Sequence, residues 1–313
     1  MRKYAILFIL LILLLNGCQD TKSNINEDSF TFTDSLEQKV TVNKRPQRTA
    51  ILFSSFADIW QSAGGSVQIT VGESVERDFA EKTAILVDEG SGHSSINTEI
   101  LIASKPDFII GTADYECQIE TSAFTSKHGI PSANFRVETF DDYLKVLEIF
   151  CNITERPDLY EINGTEVKNR INSLLTQNEN IAQNKKILFI RAGSTAKSTK
   201  AKNTYQHFVC GMLAELGAIN IADSAEILLD GLSLEAIIKA EPDHLFISLM
   251  GNATASEEYV KSLLASDGWK DLKCVKNGNY TFLPKDLFHF KPNSKWDIAY
   301  QYLINIFKNH NGD

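Results

Sequence analysis

Residues Glu99 to Asp107 read E-I-L-I-A-S-K-P-D, and residues Glu235 to Asp243 read E-A-I-I-K-A-E-P-D. Each copy begins two residues after a helix-capping side chain, Asn97 or Ser233, and each Pro-Asp pair leads into a short apolar run. This pattern is typical of a helix that stops before a proline and passes into a buried strand. Because the unit occurs once in each half of the chain, it predicts two similar α/β lobes.

Short apolar runs continue the alternation of helices and strands on both sides of the repeat. They predict a hairpin over 30–42 with a turn near Asp34, and strands at 49–53, 69–71, 85–87, 108–111, 130–135, 187–190, 245–247 and 280–283. Strands that alternate with helices at this spacing form parallel sheets with helices on both faces. The predicted fold class is therefore α/β, with two doubly wound lobes.

The stretch between the lobes has a different pattern. From 140 to 180 the apolar residues recur with helical spacing, and no strand pattern interrupts them. Pro157 occupies a position that suits the first residue of a helix. We predict an N-terminal lobe over 30–150, a long linker helix over 151–183 and a C-terminal lobe over 184–313.

The beginning of the chain resembles a bacterial lipoprotein signal. Arg2 and Lys3 precede an apolar run of about 12 residues, which is too short to span a bilayer comfortably, and a small residue then precedes Cys18. The prediction is a signal peptide over 1–17, a lipid on the Cys18 sulfur and a polar, flexible tether over 18–29. The protein would then lie outside the cytoplasm, anchored to the membrane. An ordinary secretory signal or an N-terminal anchor is the alternative.

Charge and cysteine usage exclude several classes of protein. The net charge of −9 argues against non-specific binding to nucleic acid, which needs a basic face. The remaining cysteines, Cys117, Cys151, Cys210 and Cys274, show no C-x-x-C spacing, so neither a zinc ribbon nor a redox motif is predicted. Pairing among them stays open. The six histidines are scattered, and no metal site is predicted from them.

With the segment W-K-D-L-K-C-V-K-N-G at 269–278, the order of these features resembles the class III, or cluster A-II, substrate-binding proteins of ABC importers. Three other features also support the resemblance: the opening in which Arg48 lies between two strands, the repeated segments with Glu and Pro-Asp, and the long helical linker. The resemblance covers nearly everything after residue 30. It implies two lobes joined by one rigid helix, a ligand cleft between them, no enzymatic activity and no cofactor.

The resemblance also implies partners. The family serves metal chelates, so a ferric siderophore is the first expectation, followed by cobalamin or another corrinoid and by haem. One acidic residue on each lobe docks into arginine pockets of the permease dimer, and those positions match Glu99 and Glu235. The protein is expected to act as a monomer.

A purely local role for the two glutamates is the alternative. The helix dipole stabilises a carboxylate in the first turn by about 0.3–1 kcal/mol. Two carboxylates at matched places on a rigid body also suit charge-assisted bonds to two arginine sites, which favours docking. The Pro-Asp pairs are predicted to be structural.

Ligands of open α/β sheets bind beyond the carboxyl ends of the strands. The side chains predicted to reach the ligand are Ser54, Ser55, His93, Tyr115, Arg191, Tyr205, His289 and Lys291. Aromatic rings and cations suit a large, flat or anionic chelate. The alternatives are a carboxylate partner for Arg191, capping or solvation for His289 and Lys291, and rim packing for the two tyrosines.

Two other functions compete with transport. An exported hydrolase is disfavoured because the chain lacks G-x-S-x-G, H-E-x-x-H and P-loop motifs. A surface lipoprotein that binds a glycan or a protein without a transporter is the second alternative. In such a lipoprotein the paired glutamates would have no role in docking to a permease, and this distinguishes it from a transport protein.

Overall fold

The structure is a computed structural model of the 313-residue chain, and it describes residues 28–88 and 95–310. The predicted signal peptide, the Cys18 lipidation site and the proposed ligand contact His93 lie outside the described residues. Within the described part, no helix is both long and apolar enough to cross a membrane. The cysteines of this part, Cys117, Cys151, Cys210 and Cys274, form no disulfide bond.

A β-hairpin opens the described chain. Its strands are β1 (Ser29–Thr33) and β2 (Lys39–Asn43), paired antiparallel. The turn forms where the sequence predicts it, because the Asp34 carboxylate accepts hydrogen bonds from the backbone N–H groups of Leu36 and Gln38, both at 2.9 Å. The same carboxylate accepts from the Asn134 N–H at 2.9 Å, which fixes the hairpin to the first lobe.

The first lobe is built on a five-stranded parallel sheet in the order β5-β4-β3-β6-β7. Its strands are β3 (Thr49–Ile51), β4 (Ile69–Thr70), β5 (Ile85–Leu86), β6 (Phe108–Thr112) and β7 (Ser132–Phe135). Its helices are α1 (Ser54–Ser62), α2 (Gly72–Glu76), α3 (Thr98–Ala103) and α4 (Glu116–Lys127). Strands β3, β6 and β7 are buried throughout, as apolar runs of a doubly covered sheet should be.

The second lobe repeats this plan. Parallel strands lie in the order β10-β8-β11-β12, and the short β9 pairs antiparallel with β8. The strands are β8 (Lys186–Ala192), β9 (Lys200–Ala201), β10 (Ile219–Asn220), β11 (His244–Leu249) and β12 (Tyr280–Phe282). The prediction of two doubly wound α/β lobes is thereby confirmed.

Two helices, rather than one, occupy the stretch between the sheets. Helix α5 (Phe140–Thr154) ends at Glu155, whose φ of 57° is left-handed. Arg156 precedes a proline and is therefore disfavoured in a helix, and a second helical segment starts at Pro157. That segment comprises α6 (Pro157–Tyr160), a π-helical turn (Glu161–Thr165) and α7 (Glu166–Gln177). The helix start predicted at Pro157 is confirmed. The second segment lies within the range predicted for the linker, 151–183, whereas residues 150 and 151 both belong to α5.

Gly164 allows the linker to approach α5 closely. A Cβ atom at this position would lie 3.2 Å from the Leu144 side chain and 3.3 Å from that of Leu147. A larger side chain at this position would therefore force these leucine side chains to shift by a few tenths of an ångström.

The remaining helices belong to the second lobe: α8 (Phe208–Glu215), α9 (Ile227–Asp230), α10 (Leu234–Ala240), α11 (Ala253–Ala265), α12 (Lys273–Lys276), α13 (Lys285–Phe288) and α14 (Trp296–His310). Short 3-10 turns lie at Ala196–Ser198, Ile221–Asp223 and Asn293–Lys295. Helix α14 packs along α7, where Arg170 forms a 2.6 Å salt bridge with Asp297. One continuous apolar core includes Trp60 of the first lobe, Phe150 of α5, Phe189 of the second lobe and Trp296 of α14. The two lobes therefore share one packed interior.

Both copies of the repeat have the same local structure. Asn97 caps α3 by accepting the Ile100 N–H at 3.0 Å, and Ser233 caps α10 by accepting the Ala236 N–H at 3.4 Å. The residue before each proline, Lys105 or Glu241, has a left-handed φ of 50° or 49°. A left-handed residue is a common way to end a helix, and the following proline prevents its continuation.

The aspartates of the repeat are structural, as predicted. The Asp107 carboxylate accepts the backbone N–H groups of Gln47 at 2.6 Å and Arg48 at 3.0 Å, where β3 begins. Asp243 accepts the Lys186 N–H at 2.8 Å, where β8 begins. Each carboxylate thus ties its own helix-to-strand turn to the neighbouring strand of its sheet.

Candidate ligand-binding cleft

A cavity of about 330 Å³ lies between the two lobes. The first lobe contributes aromatic, apolar and polar side chains, and the second contributes mostly cationic and aromatic ones. They are Phe53, Ser55, Phe56, Ile59, Glu73, Thr112, Asp114, Tyr115 and Val137 from the first lobe, and Arg191, His289, Phe290, Lys291 and Asn293 from the second.

Sheet topology explains why these residues meet. Phe53 follows β3, Asp114 follows β6, Val137 follows β7, and Arg191 lies at the end of β8. The strands of each sheet are parallel, so their carboxyl ends share one edge, and the two edges face each other across the cavity. The second-lobe segment 289–293 runs along the same space before α14 begins.

Five of the eight side chains predicted to touch ligand line this cavity: Ser55, Tyr115, Arg191, His289 and Lys291. Ser54 does not, because it is fully buried and its hydroxyl is engaged by Glu73 and by the Arg77 guanidinium, the latter at 2.8 Å. Tyr205 is 94% exposed and lines a different cavity.

Arg191 is a half-buried cation with few partners. Its Nε atom is shielded from solvent and has no hydrogen-bond partner among the described residues. No salt bridge reaches the guanidinium from that part of the chain, and burial lowers the pKa of Arg191. A buried charge without a partner is costly, and a bound anion would relieve that cost.

The carboxylates at the cavity already face cations. Asp114 accepts a hydrogen bond from Arg136 Nε at 2.5 Å, and Glu138 lies 3.1 Å from the Lys291 ammonium. Glu73 accepts the Ser54 hydroxyl. Burial lowers the pKa of the nearby Arg77, and the negative charge of Glu73 opposes that shift. Arg191 is thus left as a positive charge directed to the cavity, so the cleft suits an anion.

The imidazole of His289 is held in one tautomer. Its Nδ1 lies 2.9 Å from the Leu249 carbonyl and donates to it, so the neutral ring carries a lone pair on Nε2. Burial lowers the pKa of His289, and Arg191 lowers it further. Burial raises the pKa of Tyr115, and the negative charge of the nearby Asp114 raises it further. Both side chains are therefore uncharged at neutral pH.

Two contacts fix the lobes across the cleft. The Asn293 amide donates to the Ser55 carbonyl at 3.1 Å and to the Asp58 carboxylate at 2.7 Å, and Asn293 is fully buried. Arg77 stacks on the Phe290 ring with its guanidinium carbon 3.7 Å from the ring centroid. Each contact joins the first lobe to the segment that precedes α14, and each also shapes the cavity wall.

Sequence reasoning missed Glu73, Arg77, Glu138 and Asn293. Glu73 and Arg77 follow β4, a strand of two residues, which is too short to give an alternating pattern. The strand-end rule applies to them as well, because both residues follow the carboxyl end of β4. Asn293 carries no signal, since its role depends on Asp58 from the other lobe.

The glutamates of the repeat lie away from the cavity. Glu99 and Glu235 are exposed in the first turns of α3 and α10. The isoleucines three residues later, Ile102 and Ile238, are 37% and 52% exposed. Each lobe therefore presents a carboxylate and an apolar side chain at equivalent places. Within residues 28–88 and 95–310, no group of three or more His, Cys, Asp or Glu side chains is placed to hold a metal ion.

Comparison with known proteins places this architecture in context. The sequence profile described as "Periplasmic binding protein" matches residues 50–287. The Fe(3+)-citrate-binding protein YfmC of Bacillus subtilis is 26% identical over 289 residues, which cover 88% of this chain and 87% of that protein. A second protein of Bacillus subtilis, described as the uncharacterized ABC transporter substrate-binding lipoprotein YvrC, is 24% identical over 298 residues, 89% of this chain and 88% of that protein.

Among solved structures, the fold is similar to that of the periplasmic haem-binding protein RhuT from Roseiflexus sp. RS-1 in its apo form. The TM-score is 0.69 at 19% sequence identity, and the match covers 84% of this chain and 98% of that one.

Proposed function

Because the chain belongs to the periplasmic binding protein family, we propose that it is the extracytoplasmic substrate-binding protein of an ABC importer and that it captures an anionic metal chelate. The relatives reported above are binding proteins rather than enzymes. The observation that carries the ligand class is Arg191, a half-buried guanidinium that lines the cleft and whose Nε has no partner among the described residues.

A ferric chelate with carboxylate donors fits the cleft best. Free carboxylate oxygens of such a chelate accept charge-assisted bonds from guanidinium and ammonium groups, and Arg191 and Lys291 supply both. The relative named for Fe(3+)-citrate supports the same choice. Ferric siderophores remain the first expectation, and corrinoids and haem are the other ligands to test.

Ligand binding is tested with the purified protein. Intrinsic fluorescence quenching and calorimetry against ferric citrate, ferric siderophores, cobalamin and haem identify the ligand class. We expect saturable binding of ferric citrate that weakens as salt is added, because part of the attraction is electrostatic. Binding of cobalamin alone would contradict the anionic class, because haem, like ferric citrate, carries free carboxylates. Binding of none of these ligands would contradict the proposed function.

Delivery to the permease is proposed to depend on Glu99 and Glu235. Both carboxylates are exposed at equivalent places on two lobes that share one core, so their spacing is fixed. A permease dimer has two equivalent subunits, and the two carboxylates can contact one subunit each at the same time. We expect Glu99→Gln with Glu235→Gln to bind ferric citrate normally and to lose uptake of radiolabelled iron by whole cells.

A matched pair of exposed glutamates outside the repeat, Glu76→Gln with Glu258→Gln, controls for loss of charge. Normal uptake by the repeat variant would refute docking through these glutamates. Normal uptake by cells that lack the protein altogether would favour a surface lipoprotein without a transporter. Anchoring through Cys18 is tested by Cys18→Ser, which should move the protein from the membrane to the soluble fraction. The protein is expected to elute as a monomer in size-exclusion chromatography.

A further inference from the structure

A second cavity of about 230 Å³ lies beside the cleft. Aromatic side chains dominate its lining, namely Phe140 from the first lobe and Phe208, Trp296 and Tyr300 from the second. The Tyr205 ring, 94% exposed, lies at the same cavity. Its chemistry thus differs from that of the cationic cleft, and it suits an apolar or aromatic group.

One ion pair stands between the two cavities. Lys291 lines the cleft, Glu138 lines the second cavity, and their charged groups lie 3.1 Å apart. The Lys291 ammonium is also 5.8 Å from the ring centroid of Phe208, which belongs to the second cavity. The Lys291 and Glu138 side chains are 25% and 49% exposed, and a pair of this kind contributes only about 0–1 kcal/mol. A carboxylate of the ligand can therefore replace Glu138 on Lys291 at little cost.

The second cavity also offers donors that the fold does not use. Trp296 is 2% exposed, and its Nε1–H has no hydrogen-bond partner among the described residues. His207 Nδ1 accepts the Val209 N–H at 3.4 Å, so the neutral ring carries its proton on Nε2. A polar group at the end of a ligand arm can accept a hydrogen bond from the His207 Nε2–H.

The size of the cleft also favours an additional binding space for a large ligand. Its volume of about 330 Å³ is at the lower end of the range for small-molecule sites, roughly 300–1,000 Å³. A chelate larger than a simple carboxylate complex needs more room, and the second cavity, which residues of both lobes line, lies beside the cleft.

We propose that the second cavity is a subsite for an aromatic arm of the metal chelate, and that the arm enters when an anionic group of the ligand displaces Glu138 from Lys291. The inference rests on the proposed function and narrows its ligand to anionic chelates that carry such an arm. The metal-binding head stays in the cleft beside Arg191, and the arm packs among Phe140, Phe208 and Trp296.

Gly211 provides a test that leaves the cleft intact. It lines the second cavity from helix α8, and a Cβ atom built on it meets no atom within 4 Å. Gly211→Leu therefore fills the second cavity without a clash at Cβ, and Gly211→Ala is the matched control. Both changes favour helix formation, by up to about 1 kcal/mol, so the variants should fold.

The probes are the ferric complexes of N-benzyliminodiacetate and N-methyliminodiacetate with two ligands per iron. Both are singly charged anions with the same metal-binding head, and they differ only in the arm on each nitrogen. We expect the wild type to bind the benzyl complex about tenfold or more tightly than the methyl complex, because a phenyl group is buried. Gly211→Leu should abolish that preference and leave the affinity for the methyl complex unchanged. Gly211→Ala should keep the preference for the benzyl complex.

Two outcomes separate the inference from the proposed function. If the wild type binds both complexes equally, or if Gly211→Leu keeps the preference for the benzyl complex, the subsite is refuted while chelate binding stands. If the wild type binds neither complex nor ferric citrate, the proposed function fails and the subsite fails with it.

Discussion

Replacing Arg191 with methionine should weaken ligand binding and stabilise the empty protein at the same time. Methionine keeps the length and much of the apolar packing of the side chain, and it removes the charge and all of its donors. In the empty protein the Arg191 Nε has no partner among the described residues, so the native arginine costs stability until a ligand arrives.

The magnitudes follow from that environment. An unsatisfied buried donor costs about 1–3 kcal/mol, and we expect a gain near 1 kcal/mol because part of the guanidinium still faces the cavity. A hydrogen bond to a charged group contributes about 1.5–3 kcal/mol, so the dissociation constant for ferric citrate should rise roughly 10- to 150-fold.

Both quantities are measured on the same samples. Urea denaturation without ligand gives the free energy of unfolding, and calorimetric titration with ferric citrate gives the affinity. Binding to the native state alone stabilises it, so the ligand should raise the unfolding midpoint of the wild type more than that of Arg191→Met.

Arg77→Met is the matched control, because Arg77 is the cleft arginine that has partners. Its guanidinium donates to Ser54 at 2.8 Å and stacks on Phe290 at 3.7 Å, so its loss should destabilise the protein by about 2 kcal/mol. The reasoning is refuted if Arg191→Met destabilises the empty protein as Arg77→Met does, or if it leaves the affinity for ferric citrate unchanged.

Three further predictions concern the repeat, a histidine and a glycine. Asp107→Ala and Asp243→Ala should each lower the free energy of unfolding by about 1 kcal/mol and leave iron uptake normal, since these carboxylates only tie strand ends. Burial holds the pKa of His207 well below the usual value of 6.5. Below about pH 6.5 the unfolded state therefore binds more protons than the folded state, and the free energy of unfolding falls by at most about 1.4 kcal/mol per pH unit as the pH is lowered. His207→Asn keeps an N-cap acceptor and should reduce that pH dependence in urea titrations. Gly65→Ala should destabilise the protein by about 1–3 kcal/mol in the same assay, because its Cβ would overlap the buried Trp60 indole.

Each of these has an outcome that would contradict it. Loss of uptake in the aspartate variants, with stability unchanged, would give the Pro-Asp pairs a functional role. An acid-induced loss of stability that is equally steep in His207→Asn would assign the effect to other groups. Wild-type stability in Gly65→Ala would show that the Trp60 indole shifts without penalty.

Local signals predicted the fold well. The caps Asn97 and Ser233, the Pro-Asp pairs and the apolar runs act over a few residues, so they form the same structure in both lobes. The prediction was less accurate at Glu155, where one left-handed residue divides a stretch of uniform helical periodicity. Periodicity reports which face of a helix is apolar, but it does not report where the chain turns.

The site was only partly predictable. The strand-end rule located Ser55, Tyr115 and Arg191, because the end of a parallel strand is visible in the sequence. It could not distinguish Ser55 from Ser54, since the two neighbours point to different environments and only Ser55 reaches the cavity. It also placed Tyr205 in the cleft, whereas that ring lies at the second cavity.

The sequence by itself determined two α/β lobes, the matched exposed positions of Glu99 and Glu235, and the edge of each sheet that faces the cleft. These properties depend on residues close together in the chain. Only the tertiary structure decided which side chains meet across the lobes, as Asn293 meets Asp58 and Lys291 meets Glu138. It also decided that no carboxylate of the described chain pairs with Arg191. The physical reason is that such partners lie far apart in sequence, so the packing of the two lobes, rather than any local pattern, sets which charges are satisfied and which remain for a ligand.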